Sequence, residues 1–149
     1  MPLSTAITIT DWIALTTITG DWVANTTYTG TYRQVNDTME AQLTIELSGA
    51  PTATTLSIDI PNGESVDETK LPSTVALYQV GTFIIWDDNV SEVRGTGQVL
   101  YNRSTNDLDL YIVTTVAPSI SSQVSNTIPI TFANNDYLSI EFSVPITGW

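Results

Sequence analysis

The chain has 149 residues, a formal net charge of -12 from 4 basic and 16 acidic side chains, and neither Cys nor His. That is one domain's length, enough for a real core, but disulfides, thiolates, imidazole bases and the usual zinc ligands are excluded. Arg33, Lys70, Arg94 and Arg103 are too few and too scattered for nucleic acid or an anionic membrane surface, both of which need clustered cations.

Only 13% of residues are charged, and about one residue in six is Thr. This is a β-surface composition, since β-branched residues suit a pleated sheet. No apolar run approaches the ~20 residues of a spanning helix. Met1-Pro2-Leu3-Ser4-Thr5 carries no basic or apolar leader pattern, so no signal peptide is expected.

Residues 1–20 read as an extended N-terminal arm, with Ile7, Ile9, Ile13 and Ile18 scattered among Thr. Within it begins a tandem ten-residue repeat. Asp11-Trp12-Ile13-Ala14-Leu15-Thr16-Thr17-Ile18-Thr19-Gly20 is followed by Asp21-Trp22-Val23-Ala24-Asn25-Thr26-Thr27-Tyr28-Thr29-Gly30, with seven of ten positions identical. Two copies of so short a unit make no solenoid. A Trp buries roughly 150–250 Å² where it finds a partner, so two of them in a Thr-rich segment imply docking. Either the arm meets a neighbour or it covers its own domain.

Residues 21–149 read as one β-domain. Period-two alternation recurs along it and helical periodicity does not. Tyr28 to Val35 is a strand and Asn36-Asp37 a turn. Thr38 to Leu47 alternates Met39, Ala41, Leu43, Ile45 and Leu47 against Glu40, Gln42, Thr44 and Glu46. Leu56, Ile58 and Ile60 mark a further strand, stopped by Pro61-Asn62-Gly63, and residues 64–72 a polar loop. Val75 to Trp86, apolar on both faces, reads as a central buried strand with a bend at Gly81. Glu92 to Tyr101 returns, and Leu108, Leu110 and Ile112 are the inward face of its partner. A Ser-rich loop spans 118–126, Pro129 to Phe132 is a short strand or link, and Tyr137 to Ile146 closes the chain. Strands so spaced predict an all-β antiparallel β-sandwich, jelly-roll-like.

Chemistry is sparse. Asp87-Asp88-Asn89 with Glu92 offers oxygen ligands for a hard cation, but Asp-Asp-Asn is also ordinary turn composition. Asp109 alternates with Leu108 and Leu110 and is expected to face solvent. Glu40 and Glu46 fall on one outward face, not in the apolar cleft that a glycosidase acid needs. No nucleophile–base pair of the usual kind can be built. The expectation is no enzyme, no cofactor and no metal.

The run from Trp22 through Tyr28-Thr29-Gly30-Thr31 to Tyr32-Arg33-Gln34-Val35-Asn36-Asp37-Thr38 resembles a pattern of tailed-bacteriophage virion proteins. In that pattern Gly is commoner where Asn36 stands. The ending Phe132-Ala133-Asn134-Asn135-Asp136-Tyr137-Leu138-Ser139-Ile140 is similar to the close of the same group. The resemblance implies a capsid decoration (cement) protein on the outer surface of the virion, commonly a homotrimer, with the major capsid protein as partner. A receptor-binding tip or appendage of a tail fibre is the alternative, and a carbohydrate-binding module the third. The absence of a heptad shaft ahead of the domain favours cement. On this reading the interface comprises Ile7, Ile9, Trp12, Ile13, Leu15, Trp22 and Trp149, with Trp12 as the anchor of an arm added to a neighbour's sheet edge.

Overall fold

The computed structural model describes residues 6–72, 74–113 and 122–149. The chain is all-β, with two single-turn 3-10 helices, Pro61–Gly63 and Glu68–Lys70, and no α-helix among the described residues. Its strands are β1 (Ile13–Ala14), β2 (Thr26–Val35), β3 (Thr38–Leu47), β4 (Ser57–Asp59), β5 (Leu77–Asp87), β6 (Glu92–Asn102), β7 (Asp107–Ile112), β8 (Ser122–Gln123) and β9 (Tyr137–Pro145).

The best-patterned strand shows how the sequence writes the fold. In β3 every second residue, Met39, Ala41, Leu43, Ile45 and Leu47, is at most 4% exposed. The period of two sends the polar set between them to the other face. Each such burial is worth about 1.5–3 kcal/mol for a large aliphatic side chain. β2 pairs with β3 around Asn36-Asp37, where Asn36 has φ 55°, a left-handed conformation that Asn tolerates better than most residues.

The strands form one antiparallel sheet in the order β1-β2-β3-β9-β5-β6-β7-β4, with β8 beside β4 on the same edge of β7. The inward residues of β3, β4, β5, β6, β7 and β9 join one core cluster. A sheet whose single face packs against itself must roll up. The result is a sandwich made from one sheet.

Residues 8–21 close the roll. Thr10 N donates to Gln34 O at 3.0 Å and Leu15 N to Gly30 O at 2.9 Å, along β2. The chain then crosses to the other sheet edge, where Asp59 N donates to Thr19 O at 2.9 Å and Asp21 N to Ser57 O at 3.0 Å. The segment expected to leave the domain as an arm thus runs along β2 and β4 of its own chain. Its Thr-rich, β-branched composition suits a paired edge strand as well as a free extended one.

Two further expectations need correction. β5 lies between β9 and β6, with Phe83 and Ile85 buried, but Thr82 is exposed and Ile84 is 38% exposed. It is central in the sheet yet covered on one face only. Asp109 does not face solvent. It is 5% exposed and accepts from Ser57 Oγ at 2.6 Å, Asn102 Nδ2 at 2.9 Å and Gln123 Nε2 at 3.2 Å. Polar side chains from the flanking strands β4, β6 and β8 converge on it and bury it. Residues 118–121 of the Ser-rich loop lie outside the described residues, while 122–123 form β8. Pro129 to Phe132 is a link rather than a strand, and it delivers Phe132 to the core at 1% exposure.

Two core-side tyrosines set an alkaline limit. Burial, aided by the Asp21 and Asp59 carboxylates, pushes the Tyr28 phenol up to about 12. Burial and the Glu68 carboxylate that accepts its hydroxyl do the same for Tyr101. Both phenols are held neutral in the fold and ionise near 10 when unfolded. Their contribution to stability is therefore complete below pH 10 and lost as pH rises toward 12. Urea midpoints should fall across that window. The double variant Tyr28→Phe, Tyr101→Phe should show a shallower fall, and an unchanged slope would refute the assignment.

Candidate functional site: an outer-face groove and an apolar edge

The register across the sheet fixes which side chains share its outer face. One row runs Arg33, Glu40, Ser143. The next runs Thr31, Gln42, Glu141, Thr82, Gln98, Tyr111. These two rows are almost wholly hydroxyl, amide and carboxylate.

Two β-bulges lie near these rows. Ile9 pairs with Val35 and Ile13 with Tyr32, so four steps along the N-terminal segment meet three along β2. Just beyond this irregularity Trp12 lies over Arg33, whose guanidinium carbon is 5.1 Å from the ring centroid. The second bulge is in β5, where Gln79 pairs with Leu100 and Gly81 with Val99, leaving Val80 as the extra residue. Gly81 is needed at this point, because a Cβ there would sit 1.9 Å from Glu141 O. Bulges of this kind commonly re-aim a side chain beside a binding site.

Trp12 and Val80 line the same shallow groove of about 380 Å³, together with Arg33, Glu40, Gln42, Thr82, Glu141 and Ser143. Arg33 Nε donates to Glu40 Oε2 at 2.7 Å. That pair is about one-third exposed on each side and is worth under about 1 kcal/mol as a surface ion pair. The stacking on Trp12 adds about 0.5–1 kcal/mol. The triad therefore matters less for stability than for fixing the Trp12 ring at one end of the groove.

The predicted interface residues separate into two groups. Ile7, Ile9, Trp12 and Ile13 are 70, 61, 42 and 47% exposed. Leu15 packs against the core, and Trp149 does so beside Tyr32 with ring centroids 6.0 Å apart. Trp22 is fully buried, edge-on to Phe132 at 5.0 Å, with its indole N–H donating to Thr54 O at 3.1 Å. The two copies of the repeat thus give their Trp residues opposite fates.

Sequence reasoning missed Val80, Gln42 and Glu141 as neighbours of Trp12. The outward phase of Gln42 in β3 was legible, but its pairing with Glu141 joins strands almost a hundred residues apart. Asp87, read as a possible cation ligand, instead accepts from Asn89 N at 3.0 Å and lies 3.7 Å from Arg94 Nε. Among the described residues no group of three or more His, Cys, Asp or Glu is placed to hold a metal ion. No protein family, curated protein or solved structure matches this chain.

Proposed function

We propose that the chain is a capsid decoration protein of a tailed-phage-like virion, a homotrimeric sandwich of jelly-roll type that docks on the major capsid protein and performs no catalysis. The observation that carries the reading is the exposure of Ile7, Ile9 and Ile13 along the segment that borders β2. Scattered single apolar residues are normal on a soluble surface, but three large aliphatics within seven residues of one edge are a contact surface in want of a partner. The free side of that segment can pair with a strand of a neighbour, which gives backbone hydrogen bonds for affinity and side chains for register.

The residues behind the resemblance have structural duties that suit this reading. Tyr28 Oη donates to Trp22 O at 2.9 Å, and Phe132 packs on the Trp22 ring. Asn36, standing where the group favours Gly, has φ 55°, and Asn135 in the closing turn has φ 66°. A tail-fibre appendage is the second reading, favoured by the Trp12 groove, which is the kind of polar, aromatic-edged surface a receptor contact uses.

Gold labelling of intact particles tests the proposal. Label over heads, together with a rise in head melting temperature on adding the chain, is the expected outcome, because a ligand of the assembled state stabilises it by mass action. The triple variant Ile7→Ser, Ile9→Ser, Ile13→Ser should bind heads at least tenfold more weakly with its own fold intact. Label confined to tail ends, or undiminished binding by the triple variant, would overturn it.

A further inference from the structure

We propose that the outer-face groove is a binding site for a neutral oligosaccharide, with Trp12 as its stacking platform. The inference holds wherever the protein sits on a particle, since it rests on the groove alone.

The chemistry of the groove selects the ligand class. Its apolar lining is the Trp12 ring and Val80 with Ala41 and Phe142, and its polar lining includes Gln42, Thr82, Glu141 and Ser143. A pyranose ring matches this pairing: an apolar C–H face for the indole, and hydroxyls that both donate and accept. Glu141 accepts, Gln42 does both, and the two hydroxyl residues adapt by rotation. Concave sites that combine an aromatic surface with a few placed polar groups are the usual architecture of small-ligand binding.

Charge argues against the other candidates. The one cation of the groove, Arg33, is already committed to Glu40 at 2.7 Å and to the Trp12 ring. Glu141 then leaves the groove net acidic, within a chain of net charge -12. Phosphates, sulfated chains and uronic acids would be repelled.

The site is also preorganised. Trp12 keeps 42% of its surface open while its orientation is held by Arg33. A ring already fixed loses little freedom on binding, which favours affinity.

The same face extends the site. Trp86 and Tyr137 stack at 6.0 Å with a 16° interplanar angle, and their register pairing places both on the outer face. Tyr137 is four residues along β9 from Glu141, about 14 Å at ~3.4 Å per residue. Two aromatic stations separated by Ser139, Thr44 and Glu141 suit a chain of sugars better than a single one.

The full-length chain should be titrated with neutral hexasaccharides built on glucose, mannose or N-acetylglucosamine, with their monosaccharides, and with an oligogalacturonate. Indole N–H signals in NMR spectra provide the readout. The expected result is that at least one neutral hexasaccharide shifts the Trp12 signal and binds at least tenfold more tightly than its monosaccharide. Trp12→Ala and Gln42→Ala should each weaken binding about tenfold without altering the near-ultraviolet dichroism of the core. Trp86→Ala should weaken the hexasaccharide and leave the monosaccharide unchanged. The proposal is overturned if no neutral hexasaccharide perturbs Trp12, if the acidic chain binds more tightly, or if Trp12→Ala retains full affinity.

Discussion

Trp22→Ala should lower the free energy of unfolding by about 3–5 kcal/mol, the usual cost of truncating a large buried aromatic. Trp12→Ala should change it by about 1 kcal/mol or less, the combined worth of an exposed ring–guanidinium contact. The contrast is informative because the two residues hold equivalent positions in a repeat with seven of ten identities. Trp22 is fully buried, meets Phe132 edge-on and donates to Thr54 O. Removing it leaves a cavity and an unpaired carbonyl. With total stabilities of about 5–15 kcal/mol for domains of this kind, Trp22→Ala should lie near the limit of folding. Urea unfolding followed by far-ultraviolet dichroism measures both variants. Equal losses would contradict the placement of the two rings.

Deleting residues 1–21 should abolish cooperative folding or lower the melting temperature by at least about 10 °C. The deletion removes the backbone bonds from Leu15 to Gly30 O and from Asp21 to Ser57 O, and orphans the Asp59 and Asn62 amides that donate to Thr19 O and Thr17 O. Each is worth about 1 kcal/mol net, and the partly buried Leu15 and Ile18 that pack on the core go with them. About 5 kcal/mol or more is lost, and 1 kcal/mol corresponds to roughly 2–4 °C at this size. Deleting residues 1–12 instead spares β1 and the seam with β4. That shorter deletion should fold and melt within a few degrees of the full chain. A 1–21 deletion as stable as the whole protein would contradict the closed roll.

The strands themselves were legible because their signal is local. Thr38 to Leu47 alternates without exception, and β3 has those same limits. Tyr137 to Ile146 and Glu92 to Tyr101 were found within a residue for the same reason. The all-β class followed directly. What was hidden depends on pairing between distant segments. Nothing near β9 says that it inserts between β3 and β5, and nothing near Asp109 says that Ser57, Asn102 and Gln123 converge on it. A bulge is one extra residue, invisible until both registers are known. For that reason the sequence could mark Trp12 as exposed and consequential but not place it over Arg33. The destination of residues 8–21 was ambiguous in principle, since Thr and Ile serve a closing strand and a free arm alike.

Amide hydrogen exchange along residues 8–21 of the isolated chain tests this closure most directly. The segment's own donors at Thr10, Leu15 and Asp21, and the facing amides of Asp59 and Asn62, are hydrogen-bonded across the two seams. Their exchange should be slowed by orders of magnitude relative to unstructured chain, toward the protection of the β3 and β9 amides in the core. Exchange of the segment at the unprotected rate, with β3 and β9 still protected, would show that it leaves the domain and would contradict the account.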